Sequence, residues 1–176
     1  MILTVADDIE LRLLSPDDAK YIFRTIDTER AYLREWLPFV DYTQKVEDSI
    51  EYVQSTLNSI EKQFGVYHCN TFVGLIGCNR TDMDNKRTEI GYWLSEKMQG
   101  KGIIIRSVYR LLAFAFNEWG MNRVQIRVAV DNVKSKKIPE KLGFYLEGIE
   151  RDGELLVDNK FTDIAVYSLL KKEFQE

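Results

Sequence analysis

Gly100 and Gly102 flank Lys101 where an alternating apolar stretch, residues 88–94, gives way to an apolar-periodic stretch beginning at Ile103. Glycines at such a strand-to-helix turn let the backbone tighten and approach a ligand. The first turn of the helix also offers N–H groups with no partner inside it. Those groups, with the partial positive charge at a helix N-terminus, suit phosphate oxygens, and Lys101 adds a full charge. The spacing points to a diphosphate-bearing ligand; a turn that needs positive φ and binds nothing is the alternative. Two familiar phosphate motifs are excluded. No Gly-x-x-x-x-Gly-Lys-Ser/Thr run exists, and the third glycine of a dinucleotide fingerprint would fall at Ile105.

Glu89 is the second residue that stands out, an acid inside the stretch that enters the glycines. Alternation puts Glu89, Gly91 and Trp93 on one face of that strand and Ile90, Tyr92 and Leu94 on the other. The ordinary reading of Glu89 is a strand-edge charge paired with Arg87 or Arg127. Asp131 and Asn132 precede a helical stretch that either could cap, and Ser135 lies in its first turn, a common place for serine. His68 is the sole histidine and has no motif around it, so it reads as a surface residue. A hydrolytic triad would have to use it, and no close Cys/His cluster supports a metal site. Cys69 and Cys78 are expected to be reduced.

The elements that would position these residues can be read from periodicity. A strand is expected at 9–14, a helix from Ser15-Pro16 to about Thr28, and a short helix at 32–37 stopped by Pro38. Helical spacing runs over 46–62, followed by a hairpin of 64–68 and 71–79 around Cys69-Asn70. The central strand 87–94 leads into the glycines and a helix at 103–119. A strand at 123–130, a helix at 133–142 and strands at 144–151 and 160–169 complete the chain. Strands mixed with helices on a largely antiparallel sheet make an α+β, or mixed α/β, fold.

The chain has 176 residues, of which 45% are hydrophobic and 30% charged, enough for one good core, so residues 1–176 are expected to form a single domain. A formal charge of −4 argues against broad nucleic-acid binding and suits a cationic substrate. No apolar run is long enough to cross a membrane, and the first residues lack the pattern of a signal peptide. A cytoplasmic location is the expectation.

Gln99-Gly-Lys-Gly-Ile-Ile104 resembles the Gln/Arg-x-x-Gly-x-Gly/Ala loop of the GNAT N-acetyltransferases, with Ile104 departing from the usual small residue. The stretch from Asn122 to Phe144, the opening Ile9-Glu-Leu-Arg-Leu-Leu-Ser-Pro-Asp-Asp-Ala19 and Leu33-Arg-Glu-Trp-Leu-Pro38 are similar to the RimJ/RimL branch, which acetylates ribosomal-protein N-termini. The resemblance spans essentially the whole chain. It implies a twisted, mostly antiparallel seven-stranded sheet with a splayed central strand pair and flanking helices. It also implies acetyl-CoA as co-substrate, with no metal. Gln99, Gly100, Lys101, Gly102, Ile103 and Ile104 would then hold the pyrophosphate. The edge at Tyr92, Trp93 and Leu94, with Asn132, would meet the pantetheine arm, and one or two of Lys134, Lys136 and Lys137 the adenosine end.

On the same resemblance Glu89 is the candidate base and Ser135 the candidate acid for the departing thiolate, by full proton transfer or by a hydrogen bond to the sulfur, Tyr145 being less well placed. Leu33, Trp36, Leu37, Phe39, Val40 and Tyr42 read mostly as core, with the remainder available to wall an acceptor groove. Asp17, Asp18, Asp41, Glu47, Asp48 and Glu51 give this half an acidic cast. An α-amine, with a pKa of ~7.8 against ~10.4 for lysine, reaches its neutral form for about 3.5 kcal/mol less at pH 7. That favours an α-amine, and the resemblance implies the N-terminal α-amine of a ribosomal protein as the acceptor. A small amine such as a polyamine or aminoglycoside, a catalytically silent acyl-CoA-binding module, and a homodimer or higher homo-oligomer all stay open.

Overall fold

The computed structural model describes residues 1–175. Eight strands form one sheet: β1 (Ile2–Ala6), β2 (Ile9–Leu13), β3 (Lys62–His68), β4 (Thr71–Asp82), β5 (Arg87–Leu94), β6 (Arg123–Ala129), β7 (Tyr145–Leu155) and β8 (Phe161–Leu170). Their order across the sheet is β1-β2-β3-β4-β5-β6-β8-β7. Every neighbouring pair is antiparallel except β5–β6. The mixed α/β class agrees with the expectation, with eight strands in place of seven. The addition is β1, a short edge strand that buries Leu3 and leaves Ile2 exposed.

Both faces of the sheet are covered near its centre. On one lies α4 (Ile103–Ala113), whose Ile103, Ile104, Val108, Leu111 and Leu112 are spaced to bury a single stripe against Ile9, Phe64, Ile76 and Ile90. On the other lie α1 (Ala19–Thr28) and α3 (Val46–Leu57), packing Ile22, Ile26 and Val53 onto Leu75 and Trp93. A four-residue α2 (Arg30–Leu33) follows α1, and α5 (Val133–Lys141) follows β6.

Five boundaries differ from the periodicity reading, the first being β4, which runs past the expected Asn79 to Asp82. The third helix stops at Leu57 rather than 62, because Ile60 is half-exposed and Lys62 already pairs with Cys78. The helix expected at 32–37 is displaced to Arg30–Leu33, with a separate turn over Pro38–Asp41. The long helix expected to reach Trp119 leaves α-geometry after Ala113 and finishes in a π-turn, Phe114–Glu118, that buries Phe114, Ala115 and Phe116 in succession. Strand β7 runs on to Leu155; its ladder with β8 is interrupted between Leu146 and Gly148 and again between Glu150 and Glu154.

One feature of the sheet determines where a site can lie. The β5–β6 ladder contains only three pairs, Arg87–Arg123, Thr88–Val124 and Glu89–Gln125. Beyond Glu89, β5 stays bound to β4 as far as Leu94, and β6 stays bound to β8 as far as Ala129. The two strands therefore part, and each turns a row of backbone groups into the gap. Such groups need partners.

Candidate active site

The wide end of the gap leads into the glycine loop. Gly100 and Gly102 have φ of 75° and 70°, left-handed values that a side chain disfavours. A Cβ at Gly100 would meet nothing within 4 Å, and one at Gly102 would meet no atom nearer than 3.9 Å. The loop thus opens onto free space. Arg106 fastens it from behind, donating to the carbonyls of Gly102 and Lys101, each at 3.3 Å. Its N–H also closes the first helical bond onto Gly102 at 3.2 Å. The N–H groups at the start of α4 are left as donors, and Ile103 and Ile104 can contribute only these, since both side chains are buried.

Gln99 is already engaged. Its amide donates to the Tyr32 hydroxyl and accepts from Lys134 at 3.0 Å, joining the two lips of the gap. Of the strand residues, Trp93 turns its indole into the core beneath α1 and Leu94 packs with α4, so only their backbone edges are available to the gap. Tyr92 differs. Its phenol donates to the Ser135 carbonyl at 3.2 Å and accepts from Ser135 Oγ at 3.2 Å. Burial pushes this phenol well above its ordinary value, so it stays protonated.

The contact has a cause in the chain. Pro139 lies inside α5 and has no N–H to return to the carbonyl four residues earlier, which is that of Ser135. The Tyr92 hydroxyl donates to that carbonyl. Asn132, rather than Asp131, caps the helix, its Oδ1 accepting the Ser135 N–H at 3.1 Å.

Glu89 stands at the apex, the last paired residue before the strands part. Its carboxylate is 3.2 Å from Arg80 and 3.9 Å from Arg127. Burial raises the Glu89 carboxyl above the ordinary carboxylate range, against the pull of these two guanidiniums; the negative charge of Glu154 raises it further. Arg87 is no partner, being 3.3 Å from Asp82 instead, and Arg127 also pairs with Glu150 at 2.5 Å. Glu89 lies on the face of β5 opposite to that of Tyr92, the residue Ser135 bonds to, and no hydrogen bond joins Glu89 to Ser135. Tyr145 stands 71% exposed on the outer strand.

Past the apex, on the β6–β8 side of the gap, Trp36 packs on Ala129, Ile164 and Val166, while Leu33 and Val40 belong to the core beneath α1. Arg34 clasps Asp41 through two bonds of 2.9 and 2.8 Å and reaches Asp158 in the β7–β8 turn at 3.3 Å. Much of the acidic cast is structural: Asp18 is buried on the Tyr67 hydroxyl, Asp48 accepts the N–H groups of Gln44 and Lys45, and Arg34 holds Asp41 below its usual range. His68 is half-buried and 3.1 Å from Asp8, not a free surface group. Cys69 and Cys78 are both free thiols. Among the described residues, no cluster of His, Cys, Asp or Glu is arranged to hold a metal ion, and no helix is long and apolar enough to cross a membrane. Sequence reasoning missed Arg80, Tyr32, Glu29 and the Tyr92 hydroxyl. Each acts through a contact that periodicity does not register.

A family model described as an acetyltransferase (GNAT) domain matches residues 8–145. YdaF of Bacillus subtilis (strain 168), provisionally named a ribosomal N-acetyltransferase, is 36% identical over 97% of this chain and 96% of its own. The ribosomal-protein-serine acetyltransferase of Escherichia coli (strain K12) is 29% identical over 94% of each. A solved structure of RimL, the ribosomal L7/L12 α-N-protein acetyltransferase in complex with coenzyme A, superposes with a TM-score of 0.93. It is 25% identical and covers 97% of this chain and 98% of that one.

Proposed function

The chain belongs to the GNAT acetyltransferase family, and from that premise we propose that it moves the acetyl group of acetyl-CoA onto the N-terminal α-amine of a ribosomal protein. The observation that carries the reading is the gap: a β5–β6 ladder of three pairs that opens towards an unfilled glycine loop at a helix N-terminus. An acyl-CoA has the matching chemistry. Its pyrophosphate takes the N–H groups of residues 102–104 and the charge of Lys101, and its amide-bearing arm pairs with the free edge at residues 92–94. Asn132 and Lys134 lie on the opposite lip.

Transfer forms a C–N bond between the amine and the thioester carbonyl and breaks the C–S bond. The sulfur leaves with the bonding electron pair. Glu89, through a water molecule, takes the proton that the amine loses, a contribution of ~10²–10⁴-fold. Ser135 turns its hydroxyl from Tyr92, which it now meets at 3.2 Å, to the departing sulfur. Tyr92 needs no reorientation, because its hydroxyl goes on donating to the Ser135 carbonyl.

The test is mass spectrometry of products after incubation with acetyl-CoA and a panel of ribosomal-protein N-terminal peptides, their N-terminally blocked, lysine-containing counterparts, and polyamines. A gain of one acetyl group on the free α-amine is expected. Acetylation of polyamines alone replaces the acceptor, and coenzyme binding without transfer to any amine replaces catalysis by acyl-CoA binding.

A further inference from the structure

Glu29 occupies the corner between α1 and α2, and its carboxylate reaches away from both. One oxygen accepts the Ser95 hydroxyl at 2.5 Å and the other the Glu96 N–H at 2.8 Å. Those two residues open the turn that runs directly into Gln99. Three positions on, Tyr32 accepts from Gln99 itself. The donor loop is therefore tied to the α1–α2 corner at both ends of its approach. The same corner is tied to the acceptor side: Arg30 donates to the carbonyls of Val40 and Thr43, and Arg34 clasps Asp41.

Resting on the acetyl-CoA reading above, we infer that Glu29 and Tyr32 are positioning residues that couple the two substrate sites, so that filling the donor loop orders residues 34–43. A carboxylate is required at position 29 because two donors converge on it. A glutamine would offer one acceptor and turn its own NH2 towards the other donor. Hydrogen bonds to a charged acceptor are also the stronger kind, which makes this link stiff. The loop cannot shift to meet a pyrophosphate without moving α2, and α2 cannot move without carrying the segment that bears Trp36.

Hydrogen–deuterium exchange of the full chain, with and without acetyl-CoA, reads this directly. In the wild type, acetyl-CoA should protect both the first turn of α4 and residues 34–43. In Glu29→Gln and in the nearly isosteric Tyr32→Phe, the first turn of α4 should remain protected while residues 34–43 lose their response. With a synthetic peptide bearing a free N-terminal serine, the KM for peptide should rise about three- to tenfold in each variant. The kcat at saturation should stay within about twofold of wild type. Ser95→Ala should reproduce the Glu29→Gln effect and add little to it. Equal protection of residues 34–43 in variants and wild type, or a wild type in which only α4 responds, overturns the coupling and leaves acetyl transfer standing. A wild type in which neither segment responds overturns both.

Discussion

Glu89 carries the most chemistry for one side chain, and its surroundings dictate how its activity should depend on pH. A base must be ionised to work. Burial raises the Glu89 carboxyl, so kcat/KM should begin to fall, as pH is lowered, at a higher pH than a solvated glutamate would give. Glu89→Gln should flatten that limb and lower turnover at pH 7 by ~10²–10⁴-fold with acetyl-CoA affinity unchanged, which calorimetry and steady-state rates together would show. Normal turnover at pH 7 would reduce Glu89 to a structural partner of Arg80 and Arg127. At this scale the sequence reveals residue types but not partners. Glu89 and Ser135 stand out by their positions in a strand and a first helical turn. Arg80, nine residues before Glu89, does not, because it meets the carboxylate only through the irregular pairing between Asn79 and Asp82.

Among the elements, the glycine loop and α5 bear directly on the site. Replacing Gly102 by alanine meets no clash, so its cost is the left-handed backbone, about 1 kcal/mol of stability. Gly102→Val adds a β-branched side chain in the space facing the loop and should weaken acetyl-CoA binding at least about tenfold in a protein that still folds. Helix α5 makes a less intuitive prediction. Pro139→Ala restores an N–H that competes with Tyr92 for the Ser135 carbonyl, and removes an interior proline that disfavours a helix by up to about 3 kcal/mol. The variant should melt higher and turn over more slowly, stability and activity moving in opposite directions. A rise in melting temperature with unchanged kcat would show that the Tyr92 contact is idle. Most elements were legible because core-facing stripes and alternation are strong signals, as in Ile103 to Leu112. Helix ends were less so. The stop at Leu57 and the π-turn after Ala113 are decided by what the sheet can bury, which no local window contains.

Over the whole molecule, the three-pair ladder means that the sheet is incomplete at its centre, and a bound acyl-CoA arm would complete it. Acetyl-CoA at a hundred times its dissociation constant should stabilise the native state by about 2.7 kcal/mol, or roughly 5–10 °C in Tm for a chain of this length. Differential scanning fluorimetry measures this, and a shift equal to that from free adenosine would mean that the gap itself stays empty. The sheet has a second unfinished margin. All eleven residues of β7 are exposed, and one side of that strand pairs with nothing among the described residues. A straight free strand of that length would recruit further chains, each addition presenting the same margin to the next, as growing filaments do. The two interruptions in its ladder with β8, and the acids Glu147, Glu150 and Glu154 along it, break the even row of donors and acceptors that such growth needs. Deleting a bulge residue to straighten β7 should therefore show up as concentration-dependent light scattering before any loss of helical signal. On this outer margin, irregularity works against edge-to-edge strand growth.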